Sequence, residues 1–299
     1  MTGFDRVLMV DWSASAKPSP RKPSKDAIWT AGPEGPPQYF RTRADAMAHV
    51  TAITEEALTR GQSLLIGFDF PFGYPAGFAE ALTGTPHGLA VWDWLAAHVA
   101  DGPDNANNRF DVAEAINRRF PGTGPFWGCP AGRVTADLPA RKPGPAHGLP
   151  ERRLVEDRVK SAQPCWKLFT TGSVGSQALL GLPRLQGVRR RFGTDLAVWP
   201  FEPPDAPVVL AEVYPSLLDA EVRAVLERRP GDIKDRVQVE TLARALHRMG
   251  REGTLCRAFA AAEGPKLKEE AWILGVGVQE ELNAAARLSR RFPPRGPAA

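Results

Sequence analysis

The feature of this 299-residue sequence that most restricts its fold is a pair of apolar runs that each close on an aspartate. Residues 5–12, DRVLMVDW, and residues 63–70, SLLIGFDF, are continuous apolar stretches with branched and aromatic members, and each reads as a buried strand. The first ends at Asp11. The second ends at Asp69, and Pro71 then breaks the chain. Between them, a Pro- and Lys-rich loop, SASAKPSPRKPSK, leads into DAIWTAG and PPQYFRT, two short strands joined by the turn GPEGPP. Residues 43–60 then carry Ala46, Val50, Ile53, Ala57 and Leu58 at helical spacing, with Gly61 as the stop.

The order strand, strand, strand, helix, strand leaves few topologies. The first three strands can form an antiparallel meander. A helical crossover then returns the fourth strand parallel to the first. Both parallel strands carry an aspartate near their carboxyl ends, where neighbouring strands open into a common crevice. A third apolar run, PVVLAEVYP at residues 207–215, repeats the pattern with Glu212, after a shorter strand at LAVWPFE, residues 196–202. Helices are expected at 216–228 and 232–249, and one or two more across 268–288. The tail FPPRGPAA is expected to fray.

Residues 76–194 lie between these core segments and read as a long insertion within a single domain spanning residues 1–299. Helical patterns occur at 88–99 and 107–119, near 151–160 and from about Ser173, where glycine and serine can cap the helix. Residues 120–150 are rich in proline and glycine and are expected to wrap the surface or form a lid.

Three carboxylates gathered in one crevice repel one another and need protons or a cation. Hard oxygen ligands select Mg²⁺ or Mn²⁺, and such ions support attack on a phosphodiester. Asp11 and Asp69 are the leading pair, with Glu212 as the third acid. Any strand-terminal acid can also be a cap for the next turn. A fourth acid is expected from a late helix: Glu270 in KEEAWILGV, or Asp235 in IKDRVQ, with Glu55 or Glu56 on the crossover helix behind them. Trp12, beside Asp11, could stack on a base. Lys167, Lys234 and Arg236 could contact phosphate, and the Thr170–Ser176 stretch could cradle one, although it lacks the Gly-Lys-Ser/Thr of a phosphate-binding loop. Cys129 has no evident base beside it and reads as structural.

Composition narrows the class further. Hydrophobic residues make up 43% of the chain, enough for a sizeable core, while 29 Pro and 28 Gly mark it as loop-rich. The net charge of +4 permits a nucleic-acid, nucleotide or other phosphoester partner without demanding one. Pairs and runs of arginine, such as Arg189-Arg190-Arg191, are expected on solvated helix faces. Three cysteines without metal-ligand spacing fit the cytoplasm, and no apolar stretch is long enough for a membrane span.

The pattern VLMVDWSA, LLIGFDFPFGYP, LAEVYPS and a late acidic helix resembles a large family of uncharacterised ribonuclease-H-like proteins labelled predicted nucleases. The core strands at both ends of the chain carry the resemblance, and Asp69-Phe70-Pro71-Phe72-Gly73 is its most specific part. It implies a ribonuclease-H-like α/β fold: a mixed sheet of three antiparallel strands followed by parallel ones, flanked by helices. It also implies metal-dependent hydrolysis with Asp11, Asp69, Glu212 and Glu270 in the site. Tyr214 stands where relatives often have His. A narrower set of bacterial proteins sharing VDWSA, DFPFGYP, WPFE and EVYPS carries names linked to cobalamin or molybdopterin cofactor synthesis, which implies an accessory, non-catalytic role instead. A nucleotide-dependent enzyme of actin-like architecture is the third reading, although SASAKPSP lacks the glycine-rich turn such an enzyme would place after its first strand.

Overall fold

The computed structural model describes residues 3–290. The fraying expected of FPPRGPAA lies outside the described residues. Six strands form one mixed sheet: β1 Arg6–Asp11, β2 Ile28–Ala31, β3 Gln38–Phe40, β4 Leu64–Phe68, β5 Leu196–Trp199 and β6 Val208–Glu212. Their order across the sheet is β3-β2-β1-β4-β6-β5. The first three are antiparallel neighbours, and β1, β4, β6 and β5 run parallel. This is the α/β architecture with a mixed sheet that the strand and helix order implies. Helix α1, Arg43–Thr59, makes the crossover from β3 to β4. Its start is fixed by Thr42, whose side chain accepts from the Asp45 amide.

The pleat sorts side chains onto two faces. On one face Leu8, Val10, Leu64, Ile66, Phe68, Val208 and Leu210 join a core with α1 and with helices of the 76–194 segment. That segment supplies α2 Phe78–Thr83, α3 Gly88–His98, α4 Arg109–Asn117 and α6 Gly175–Phe192 to this core, and α5 Leu154–Arg158, whose Val155 joins the core on the opposite face. The proline- and glycine-rich stretch 120–150 adds two 3-10 turns, Ala131–Arg133 and Pro145–His147, and buries Phe126 and Leu138 in the same core. The expected side-chain cap on α6 is not formed: Val174 holds the N-cap position and gives no side-chain bond.

On the opposite face Val7, Met9, Trp29, Leu65, Val209 and Ala211 pack under α7 Asp219–Arg228, α8 Lys234–Arg251 and α10 Gln279–Ser289. The 268–288 region is a one-turn helix, α9 Leu267–Glu270, followed by α10. Glu270 therefore ends a helix rather than beginning one, because Ala271 turns away at φ 58. Among the described residues, no helix is long and apolar enough to cross a membrane.

One buried cation ties the 76–194 segment to the sheet. The Arg153 guanidinium grips Glu212 at the end of β6 with bonds of 2.7 and 2.6 Å, and Glu156 with one of 2.8 Å. It also donates to the Glu270 carbonyl at 2.9 Å. Arg153 and Glu156 are essentially without solvent contact. Burial alone would favour a neutral arginine. The charges of Glu212 and Glu156 outweigh it and hold the guanidinium protonated. An uncompensated buried charge is far more costly than a satisfied one. Arg153→Met should therefore lower stability by about 3–5 kcal/mol. Urea unfolding checks this, and a loss below about 1 kcal/mol would mean that the guanidinium does not hold the segment in place.

Candidate functional site

Asp11 is the last residue of β1, and Asp69 follows the last residue of β4. The two strands pair in parallel with Val10 opposite Phe68, and the Asp69 amide donates to the Val10 carbonyl at 3.3 Å. The register thus sets the two aspartates side by side. Alternation along each strand puts them on the face of Met9 and Leu65, the face that α8 covers. Asp235 enters from the first turn of α8. Its Oδ2 accepts from the Asp26 amide at 2.7 Å. Asp26 sits in a left-handed conformation, φ 57, and the Ser13 hydroxyl donates to its carbonyl at 2.8 Å. The loop after β1 is therefore closed at its base beside Asp11.

Electrostatics mark this corner as unusual. Burial pushes the Asp11 carboxyl well above the ordinary range, and the charge of Asp69 and a hydrogen bond shared with it push further. Asp235 and Asp26 add to the repulsion. Asp69 is raised to about 6, again by burial first. The bond from Asp11 and the Trp12 amide, 2.7 Å from Oδ1, work in the opposite direction. Asp235 is raised by burial too, against the pull of the Asp26 amide. Asp11 and Asp69 are thus both pushed up, Asp11 the further, so the pair holds a proton more readily than two separate aspartates would. All three side chains remain half-buried, so solvent still reaches them.

The other acids read from the sequence lie elsewhere. Glu212 pairs in register with Phe68, one position before Asp69, and so falls on the opposite face of the sheet. There it is gripped by Arg153 and accepts from the Phe72 amide at 2.8 Å. Glu270 is buried and accepts from the amides of Ala76 at 3.0 Å and Leu154 at 2.6 Å. Both acids bind the 76–194 segment and not the Asp11–Asp69 pair. Of the two late acids weighed against each other, the structure sets Asp235 beside the pair and Glu270 away from it. Glu55 pairs with Arg191, and Glu56 with Arg6 and Arg60, on the outer side of α1.

Trp12 is buried against Phe68 and Phe70, at ring distances of 5.9 and 5.8 Å, so its ring is not free to stack on a base. Lys167 donates to the Thr171 carbonyl, Lys234 pairs with Asp219, and Arg236 pairs with Asp232. Cys129 is buried, and that burial raises its thiol pKa, as suits a structural residue. Each arginine of the 189–191 run pairs with a different carboxylate, as expected of a solvated helix face. Sequence reasoning missed Asp26, which adds its charge to the corner. An exposed acid at the end of a lysine-rich loop carries no pattern that could reveal it.

No family model, curated protein or solved structure matches this chain. Among the described residues, no group of three or more His, Cys, Asp or Glu stands close enough to hold a metal by itself. The structure does present two hard-oxygen groups whose mutual repulsion is relieved by a proton, with Asp235 near enough to raise both. Asp11 and Asp69 are the residues that could hold a cation at that corner in place of a proton.

The raised pKa values fix the sign of a pH effect. A carboxyl whose folded pKa lies above its unfolded value favours folding in acid, and that contribution is lost as pH rises through the folded value. Stability carried by Asp69 should thus fall as pH passes through about 6. Asp11→Asn keeps a donor toward Asp69 and removes the second titrating carboxyl. At pH 8 without divalent ions it should melt higher than the parent protein by roughly 2–6 °C, an effect of about 1–2 kcal/mol. The gap should close below pH 5. Thermal unfolding across this range checks the pair, and equal melting at pH 8 would show that no such repulsion exists.

Proposed function

We propose that this chain is a metal-dependent phosphodiesterase of ribonuclease-H-like type, acting on nucleic acid or a related phosphoester. The observation that carries this reading is the Asp11–Asp69 pair: two acids at the ends of adjacent parallel strands, left with one proton where a cation would satisfy both. The strand order, a meander followed by a parallel strand with the acids at the junction, supports it. Asp11 and Asp69 would hold Mg²⁺ or Mn²⁺, which would supply an activated water and offset charge on a scissile phosphate. Asp11 would give up its proton on binding the ion, so ion affinity should rise with pH. Asp69 is oriented by the Trp12 amide, which leaves its second oxygen for the ion. Asp235, already committed through one oxygen to Asp26, has the other to position water.

Incubation with Mg²⁺ or Mn²⁺ and single-strand, duplex and hybrid substrates tests the proposal. Asp11→Asn and Asp69→Asn should each lose at least about a hundredfold in rate, equivalent to roughly 3 kcal/mol of transition-state stabilisation. Rates should climb with rising pH as the proton on the pair becomes easier to displace. Full-rate cleavage by Asp11→Asn would refute the assignment.

A further inference from the structure

The loop between β1 and β2 is built in an unusual way. It contains Lys17, Arg21, Lys22 and Lys25, together with Pro18, Pro20 and Pro23. All four cations are exposed. Elsewhere on the surface arginines find carboxylates, as Arg118 does with Glu114 and Arg190 with Asp93. Among the described residues, no acid pairs with any of these four.

The loop backbone, by contrast, is held at many points from below. Buried Arg43 donates to the carbonyls of Ser13 at 3.1 Å and Ser15 at 2.7 Å, and is itself fixed by Asp101. Asn105 donates to the Lys17 carbonyl at 3.2 Å, and Arg41 to that of Ser19 at 2.7 Å. The Tyr39 hydroxyl reaches Pro20 at 2.8 Å, and the Trp29 indole reaches Ser24 at 3.2 Å. Proline and these bonds remove backbone freedom before any ligand arrives, so ordering the loop on binding costs little. The chain thus presents four like charges on a rigid support whose base, at Ser13 and Asp26, adjoins Asp11.

We infer that this loop is a track for the phosphate backbone of a nucleic-acid strand, which it delivers to the Asp11–Asp69 pair. The inference rests on the phosphodiesterase reading and narrows its substrate to a polymer. A single nucleotide offers too few separated charges to use four spaced cations. The loop has no aromatic side chain for stacking on bases, and Trp12 at its start is buried. Contact is therefore with phosphate, independent of base sequence and steeply dependent on salt. Nor does the loop offer the large apolar side chains that would enter a lipid surface.

The test uses the full chain carrying Asp11→Asn, with a fluorescent single-stranded oligonucleotide, Mg²⁺ and a salt series, read by anisotropy. Adding Lys17→Gln, Arg21→Gln, Lys22→Gln and Lys25→Gln together should weaken binding at least about thirtyfold at low salt. The slope of log affinity against log salt should shrink by about 3, from a coefficient near 0.7 per phosphate contact on a single strand. Arg21→Gln alone should reduce it by roughly 0.7, which guards against a fold defect in the combined variant. Unchanged affinity and slope would overturn the inference. So would loop-dependent binding to phosphatidylserine vesicles with none to the oligonucleotide. Loss of binding in the loop variant alongside full cleavage by Asp11→Asn would instead sink the catalytic assignment and leave the track standing. Loss of cleavage by Asp11→Asn with loop-independent binding would do the reverse.

Discussion

The parallel ladder between β1 and β4 is the constraint on which the candidate site depends. Its hydrogen bonds place Val10 against Phe68, and the next residue of each strand is an aspartate. The backbone thus forces together two groups that would separate if free. The surrounding core supplies the energy for this: Val10, Ile66 and Phe68 are buried on one face and Met9 and Leu65 on the other. Repulsion held in this way is relieved by a proton, and would be relieved equally by a group of opposite charge.

The same sheet shows how differently two buried acids can be treated. Glu212 has its own cation in Arg153, and the two together fasten the 76–194 segment to the end of β6. Asp11 and Asp69 have no arginine or lysine among the groups that shift them, only each other, Asp235, Asp26 and backbone amides. The pleat separates the two sets. Acids at the ends of neighbouring strands share a face only if the register permits, and Glu212 is one step out of phase with Asp69.

That phase difference is also where sequence reading stopped. The strand ends, the crossover helix and the parallel pairing of β1 with β4 were legible, because apolar runs, helical spacing and connection rules are local or topological. The register of β6 on β4 was not, since it depends on which residues meet across 144 positions of chain, as Phe68 meets Glu212. Arg153 looked like one half of a surface arginine pair, because burial is a property of the fold and not of the dipeptide. The sequence favours Glu270 over Asp235, although both are acids at the start of apolar helical patterns. The structure gave Glu270 two backbone amides to hold and left Asp235 beside the pair. The loop after β1 read as basic and proline-rich, but the bonds from Arg43, Arg41 and Asn105 that hold it rigid come from elements that no local pattern connects to it.

The cover of the sheet bears on how the chain is made. One face of β1 and β2 is covered by α8, which follows the whole 76–194 segment in the chain. During synthesis Val7, Met9 and Trp29 must wait for that cover while the whole 76–194 segment is produced. Assembly of that face is a late, long-range event, slow by topology and open to wrong association while it lasts. The β1–β4 ladder sets Asp11 and Asp69 side by side, and Asp235 joins them only when α8 docks.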